Sequence, residues 1–289
     1  MVRRPDLFRQ ADADLNWLVT TPPLALLGDP LPPWITSLAE ITPSYRRLHA
    51  AQNGATMLPL GRYAELLLGD ALDAHPGIAE CLTNRVVRDG RQTVGEFDFL
   101  IRPKGCRDFH LLEFAVKFYL GLPARAGVHA PAPRWLGLNP RDSLEQKLER
   151  MARHQLLLPD HPASREQLQQ RGVRIVARSG WIAGILFYPT LADDAMPTPP
   201  PAVHAGHQRG WWAKASSWVP QQEVTINHLS HRHQWLAGAC IEDETSVDKI
   251  RTYAAEKPRM LRCRPIAAHT ENGASERAVL VPDHWPGTA

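Results

Sequence analysis

Apolar and polar positions alternate most regularly between residues 84 and 122. In VGEFDFLI (94–101), Glu96, Asp98 and Leu100 point one way and Phe97, Phe99 and Ile101 the other, the two-residue period of a strand. The next apolar run, FHLLEFAVKFYLGL (109–122), carries two charges. Glu113, Ala115, Lys117 and Tyr119 share one of its faces; Leu112, Phe114, Val116 and Phe118 share the other. Asn84–Arg88 and Thr93–Ile101 flank Asp89-Gly90, a favoured hairpin turn, so three consecutive antiparallel strands are expected.

Around them the period changes to that of a helix. LPLGRYAELLLGDALDA (58–74) has an apolar face of Leu66, Leu67 and Leu72 and stops at His75-Pro76-Gly77. A shorter helix is expected at about 8–19, before a proline-rich connection. Downstream, SLEQKLERMARHQLL (143–157) reads as a helix capped by Asp142 or Ser143, with a second helix at 163–171. Val173–Ala177 and Trp181–Phe187 read as strands turned at Ser179-Gly180, and 193–210 as a long loop. Arg264–Ala268 and Ala278–Val281 read as closing strands, and WPGTA as a tail. The expected fold is α/β of the mixed α+β kind: a small mixed sheet with an antiparallel hairpin region, flanked by helices, plus a C-terminal α+β extension. One domain over 1–289 is expected, with its core at about 57–190, a helical segment at 1–50 and the extension at about 205–289.

Composition alters this picture little. At 44% hydrophobic and 22% charged, the chain is ordinary for a globular protein. A net charge of +3 permits nucleic acid without arguing for it. Cys81, Cys106, Cys240 and Cys263 are too far apart for a zinc or redox motif. The N-terminus has charges where a signal peptide needs apolar residues, and LNWLVTTPPLALL is too short and too broken by proline to span a bilayer. A cytoplasmic, reduced protein without membrane contact is expected. The spacings HAGH, HLSH and HRH do not match a zinc finger, and Trp211, Trp212, Trp218 and Trp235 read as core or loop anchors.

The charges on the central strands do change the picture. Ionised groups on a half-buried strand are costly unless paired or bound to a cation. Asp98 falls opposite Glu113 in one register and opposite Ala115 in another; both let two carboxylates share a cation. Glu65, on the helix at 58–74, is a third acid, and Glu96 shares the face of Asp98. Paired carboxylates with a lysine suit Mg²⁺-assisted phosphodiester chemistry, although Glu113 and Lys117 also read as a simple ion pair. Lys147, Arg150 and His154 share a helix face that could meet phosphates or only solvent, and Gln155 could point into the site.

Helical glutamate, hairpin aspartate, a strand with acid and lysine, and then a helix resemble the PD-(D/E)XK nuclease superfamily. More closely, the chain resembles an uncharacterised bacterial family within it, domain of unknown function 1853. The pieces are DLNWLVTTPPL (15–25), LGRYAELL (60–67), VGEFDFLIR (94–102), HLLEFAVKFYLG (110–121), DSLEQKLERMARHQLLL (142–158), LFYP (186–189) and RGWW (209–212). The resemblance implies a restriction-endonuclease-like core and a metal-dependent nuclease acting on nucleic acid, DNA above all. Asp98, Glu113 and Glu65 would bind Mg²⁺ or Mn²⁺, Lys117 would be the signature lysine, and Lys147, Arg150 and Gln155 would contact nucleic acid. The superfamily places its second acid two residues before the lysine, where this chain has Ala115. That departure keeps open an inactive nuclease-like module that binds nucleic acid or protein.

Overall fold

The computed structural model describes residues 4–52, 58–123, 135–190, 196–219, 224–238, 244–265 and 276–287. Its fold is mixed α/β, with a ten-stranded mixed sheet and flanking helices. Two compact units divide the chain: residues 1–116, 147–183 and 202–206, and residues 117–146, 184–201 and 207–289. The division runs along two long strands, so each contributes its first half to one unit and its second half to the other.

In chain order the first unit begins with helix α1 (Arg4–Thr20), strand β1 (Ala25–Gly28) and helices α2 (Arg46–Gln52) and α3 (Leu60–Ala74). Asp14 of α1 receives the Tyr63 hydroxyl at 2.9 Å, and Asp70 of α3 accepts the backbone N–H groups of Arg47 and Leu48 at 3.0 and 3.1 Å. Those are orphan donors at the start of α2, so a carboxylate there both caps the helix and ties it to α3. Strands β2 (Ile78–Asp89), β3 (Gln92–Pro103) and β4 (Phe109–Gly121) form the expected antiparallel meander. Gly90 turns the first hairpin with φ +57°, a conformation that side chains disfavour.

The second unit holds the end of β4, strand β5 (Trp135–Gly137) paired to it, and the start of helix α4 (Leu144–Arg150), which runs back into the first unit. Helix α5 (Pro162–Gln170) and the first half of β6 (Ile175–Pro189) belong to the first unit. The second half of β6 pairs in parallel with β7 (Gln208–Lys214). Strand β8 (Val224–His228), helix α6 (Val247–Glu256) and strands β9 (Arg259–Pro265) and β10 (Glu276–Val281) complete the second unit, in the order β7-β10-β9-β8.

Three sequence expectations need correction. There is no turn at Ser179-Gly180: β6 is continuous, and Gly180 and Ser179 pair with Leu27 and Gly28 of β1. The Ser179 hydroxyl donates to the carbonyls of Asp29 and Pro30, and Gly180 makes room for Met151, so both residues serve packing rather than chain reversal. The start of WPGTA is no tail: Trp285 is buried and stacks edge-on against Trp212, with centroids 5.2 Å apart. The expected loop at 193–210 also ends early, since β7 begins at Gln208. Of the closing strand read at 264–268, the first two residues end β9 and residues 266–268 lie outside the described residues.

Candidate functional site

Strands β3 and β4 keep a backbone register from Ile101↔His110 to Phe99↔Leu112. One step further, Asp98 comes opposite Glu113, the first of the two registers open from sequence. There the carboxylates replace the ladder. Asp98 Oδ2 accepts the Phe114 N–H at 2.9 Å, and the Asp98 N–H reaches Glu113 Oε1 at 3.5 Å. Past the paired residues, each acid takes up a backbone N–H of the facing strand.

Glu113 is 0% exposed, and Asp98 is half-buried. Burial raises the Glu113 carboxyl well above its ordinary range; the charge of Asp98 adds to this, and the amide of Gln155 opposes it. Asp98 is raised as well, first by burial and then by Glu65, while the Phe114 N–H and the charge of Lys147 pull the other way. Two facing acids cannot both ionise cheaply there, and each carboxyl is pushed toward its protonated form.

The amide that steadies Glu113 comes from the helix beginning with α4. Gln155 Nε2 donates to Glu113 Oε2 at 2.7 Å, and Lys147 Nζ donates to Gln155 Oε1 at 2.9 Å. Lys147 and Gln155 are eight positions apart, which in a regular α-helix leaves them roughly 80° apart around the axis. Residues Met151–Gln155 form a π-turn, closed by the Leu156 N–H to the Met151 carbonyl at 3.0 Å. The wider turn absorbs one residue and returns Gln155 to the face of Lys147. The buried positions show the same rephasing: Leu144, Leu148, Met151 and Leu156 are spaced by four, three and then five.

Glu65 stands one step outside this core. It acts on Asp98 through its charge, while its carboxylate is paired with Arg62 at 3.2 Å. Arg62 also donates to Asn84 Oδ1 at 2.5 Å, and Asn84 Nδ2 donates to Glu96 at 2.8 Å. Asn84 lies between the pairs Thr83↔Phe99 and Arg85↔Phe97, hence opposite Asp98, and has φ +51°. Asparagine tolerates this left-handed backbone better than other side chains, and such strain gathers at functional sites. Sequence reasoning passed over Asn84; the available signal was an asparagine, poor in strands, at the head of a strand run.

Not every expected residue joins the site. Lys117 belongs to the second unit, where its Nζ pairs with Asp142 Oδ2 at 2.6 Å. Asp142 is therefore a lysine partner, and the helix cap is Ser143, whose hydroxyl accepts the Gln146 N–H at 3.3 Å. Arg150 and His154 are exposed. Among the described residues no three His, Cys, Asp or Glu side chains lie together as a metal-binding group, so Glu65 does not complete a set with Asp98 and Glu113. Two carboxylates remain, which is what Mg²⁺ commonly takes from a protein, with waters and phosphates filling its shell.

A family model described as Domain of unknown function (DUF1853) matches residues 4–270, and the chain belongs to that family. No curated protein and no solved structure matches it.

Proposed function

We propose that this member of the DUF1853 family is a metal-dependent phosphodiesterase of the PD-(D/E)XK type, a cytoplasmic nuclease with DNA as its first expected substrate. The observation that carries the reading is the facing pair of half-buried Asp98 and fully buried Glu113 on adjacent strands, with both carboxyls raised by burial. Hard carboxylate oxygens suit Mg²⁺ or Mn²⁺, and burial makes the pair intolerant of its own charge without a cation. Asp98 and Glu113 would hold the ion, which when bound polarises a phosphodiester and eases ionisation of a water. Gln155 orients Glu113 and favours its ionised form. Lys147, whose charge reaches Asp98, takes the part that the resemblance gave to Lys117. Its ammonium would meet the charge developing on the phosphate.

The test is thermal unfolding of wild type and Asp98→Ala with and without millimolar Mg²⁺ and Mn²⁺, followed by cleavage of single- and double-stranded DNA and RNA. Stabilisation and cleavage are expected in the wild type alone. Equal stabilisation of Asp98→Ala would remove the assignment. The second reading, a nuclease-like module that binds without cutting, is favoured by Ala115 at the usual acid position; it requires nucleic-acid binding with neither cation-linked stabilisation nor cleavage.

A further inference from the structure

A second concave site lies in the first unit, between the loop joining β3 to β4 and the turn joining α5 to β6. It is a cavity of about 510 Å³, within the range of small-molecule pockets. Leu82, Phe109 and Val173 give it an apolar floor continuous with a core cluster beneath. The rim is cationic: Arg102, Arg107 and Arg171 against the single carboxylate of Glu80.

The walls are built in advance. The Phe109 N–H donates to the Arg174 carbonyl at 2.8 Å, joining the starts of β4 and β6. Arg174 grips Asp108 with two hydrogen bonds of 2.6 and 2.5 Å, so the acid nearest Arg107 in sequence is already taken. Arg102 gives Glu80 two bonds of 3.2 and 2.9 Å and lies 5.7 Å from the centre of the Phe109 ring. Arg107 and Arg171 are exposed and form no ion pair among the described residues. Two exposed guanidiniums without a salt-bridge partner among the described residues stand at the edge of an apolar floor, and their planar forks match a phosphate.

We infer that this cavity binds a nucleotide, its phosphate held by Arg107 and Arg171 and its ring set against Leu82, Phe109 and Val173 beside the Arg102 guanidinium. The nucleotide comes from one of two sources: a free mononucleotide or the phosphorylated end of a nucleic-acid strand. The inference is independent of the Asp98–Glu113 site and holds whether or not that site is catalytic.

Calorimetric titration of the full chain with a nucleoside 5′-monophosphate, the bare nucleoside, inorganic phosphate and a 5′-phosphorylated oligonucleotide tests it. The monophosphate or the phosphorylated oligonucleotide should bind, and the nucleoside should bind at least about tenfold more weakly, since a charged hydrogen bond carries that much. The Arg107→Ala, Arg171→Ala double variant should lose the binding by a similar factor, while Arg153→Ala, on the exposed helix face, should keep it. Cys106, exposed on the rim, should be shielded by the ligand from a thiol reagent, as read by peptide mapping. Binding of the oligonucleotide without the mononucleotide assigns the pocket to strand ends; binding of both assigns it to nucleotides generally. Absence of binding by all four probes, unchanged affinity in the double variant, or inorganic phosphate binding as tightly as the nucleotide would each overturn the inference.

Discussion

Replacing Glu113 by glutamine isolates the cost of ionising a buried acid. The substituted amide keeps the size of the side chain, can still accept from Gln155, and can donate to Asp98, but it has no proton to lose. The wild-type carboxyl is raised from 4.5 to about 8, by burial first and by Asp98 second. The folded state thus holds its proton more tightly than the unfolded chain does. The stability this confers is complete below about pH 4.5 and is lost as pH rises through about 8. At about 1.4 kcal/mol per tenfold change in proton affinity, the upper limit of the loss is about 5 kcal/mol. Relaxation and water entry around an ionised acid reduce it, and about 2 kcal/mol is expected. Calorimetric unfolding from pH 5 to pH 9 should therefore show wild type falling relative to Glu113→Gln, with a gap at pH 9 of about 4 °C in a chain of this size. Millimolar Mn²⁺ should close the gap at pH 9 and change little at pH 5, where the carboxyls hold their protons. Parallel profiles for the two proteins would refute the account of a buried Glu113 carboxyl that holds its proton in the folded state.

Three further outcomes rest on other contacts. Gln155→Leu removes the donor that favours ionised Glu113, so the wild-type fall with pH should move to higher pH, followed by the same unfolding series. Lys117→Met should cost at most about 1 kcal/mol by denaturant titration, because its pair with Asp142 is partly exposed, and should leave cation-linked stabilisation intact. In Gly184→Ala, the added Cβ would sit 1.7 Å from the Lys117 carbonyl oxygen, so the strands must separate. A loss of about 3 kcal/mol is expected by the same titration.

The meander was legible in the sequence because each of its signals is local: a two-residue period in VGEFDFLI, the same period around Glu113, and Asp89-Gly90 at the turn. The facing of Asp98 and Glu113 was legible only as one of two registers, since a loop's length leaves a slide of two residues undecided until the strands pair. Strand alternation places Lys117 on the face of Glu113 but says nothing about Asp142, which lies 25 residues on and accepts from its ammonium. Gln155 was harder still. Helical periodicity assumes 3.6 residues per turn, and the π-turn breaks that count between Lys147 and Gln155. The strand at Ser179-Gly180 was misread because serine and glycine carry turn chemistry wherever they occur, and the partners that override it, Leu27 and Met151, are remote in sequence.

That π-turn bears on how the chain can change length. Deleting a residue from a helix ordinarily rotates everything after it by about 100° and turns a buried face outward. Here the deletion of Arg153, exposed in the middle of the wide turn, would do the opposite. Leu156 would stand four residues after Met151 and Gln155 seven after Lys147, the spacings a regular α-helix places on one face. The helix thus carries one residue more than its contacts require, as though an insertion had been taken in without disturbing either the buried leucines or the grip on Glu113. A chain shortened at Arg153 should fold, keep its cation response and lose only the bulge, whereas the same deletion at Glu149, ahead of Met151, should leave Met151 two residues after Leu148 and turn it off the buried face.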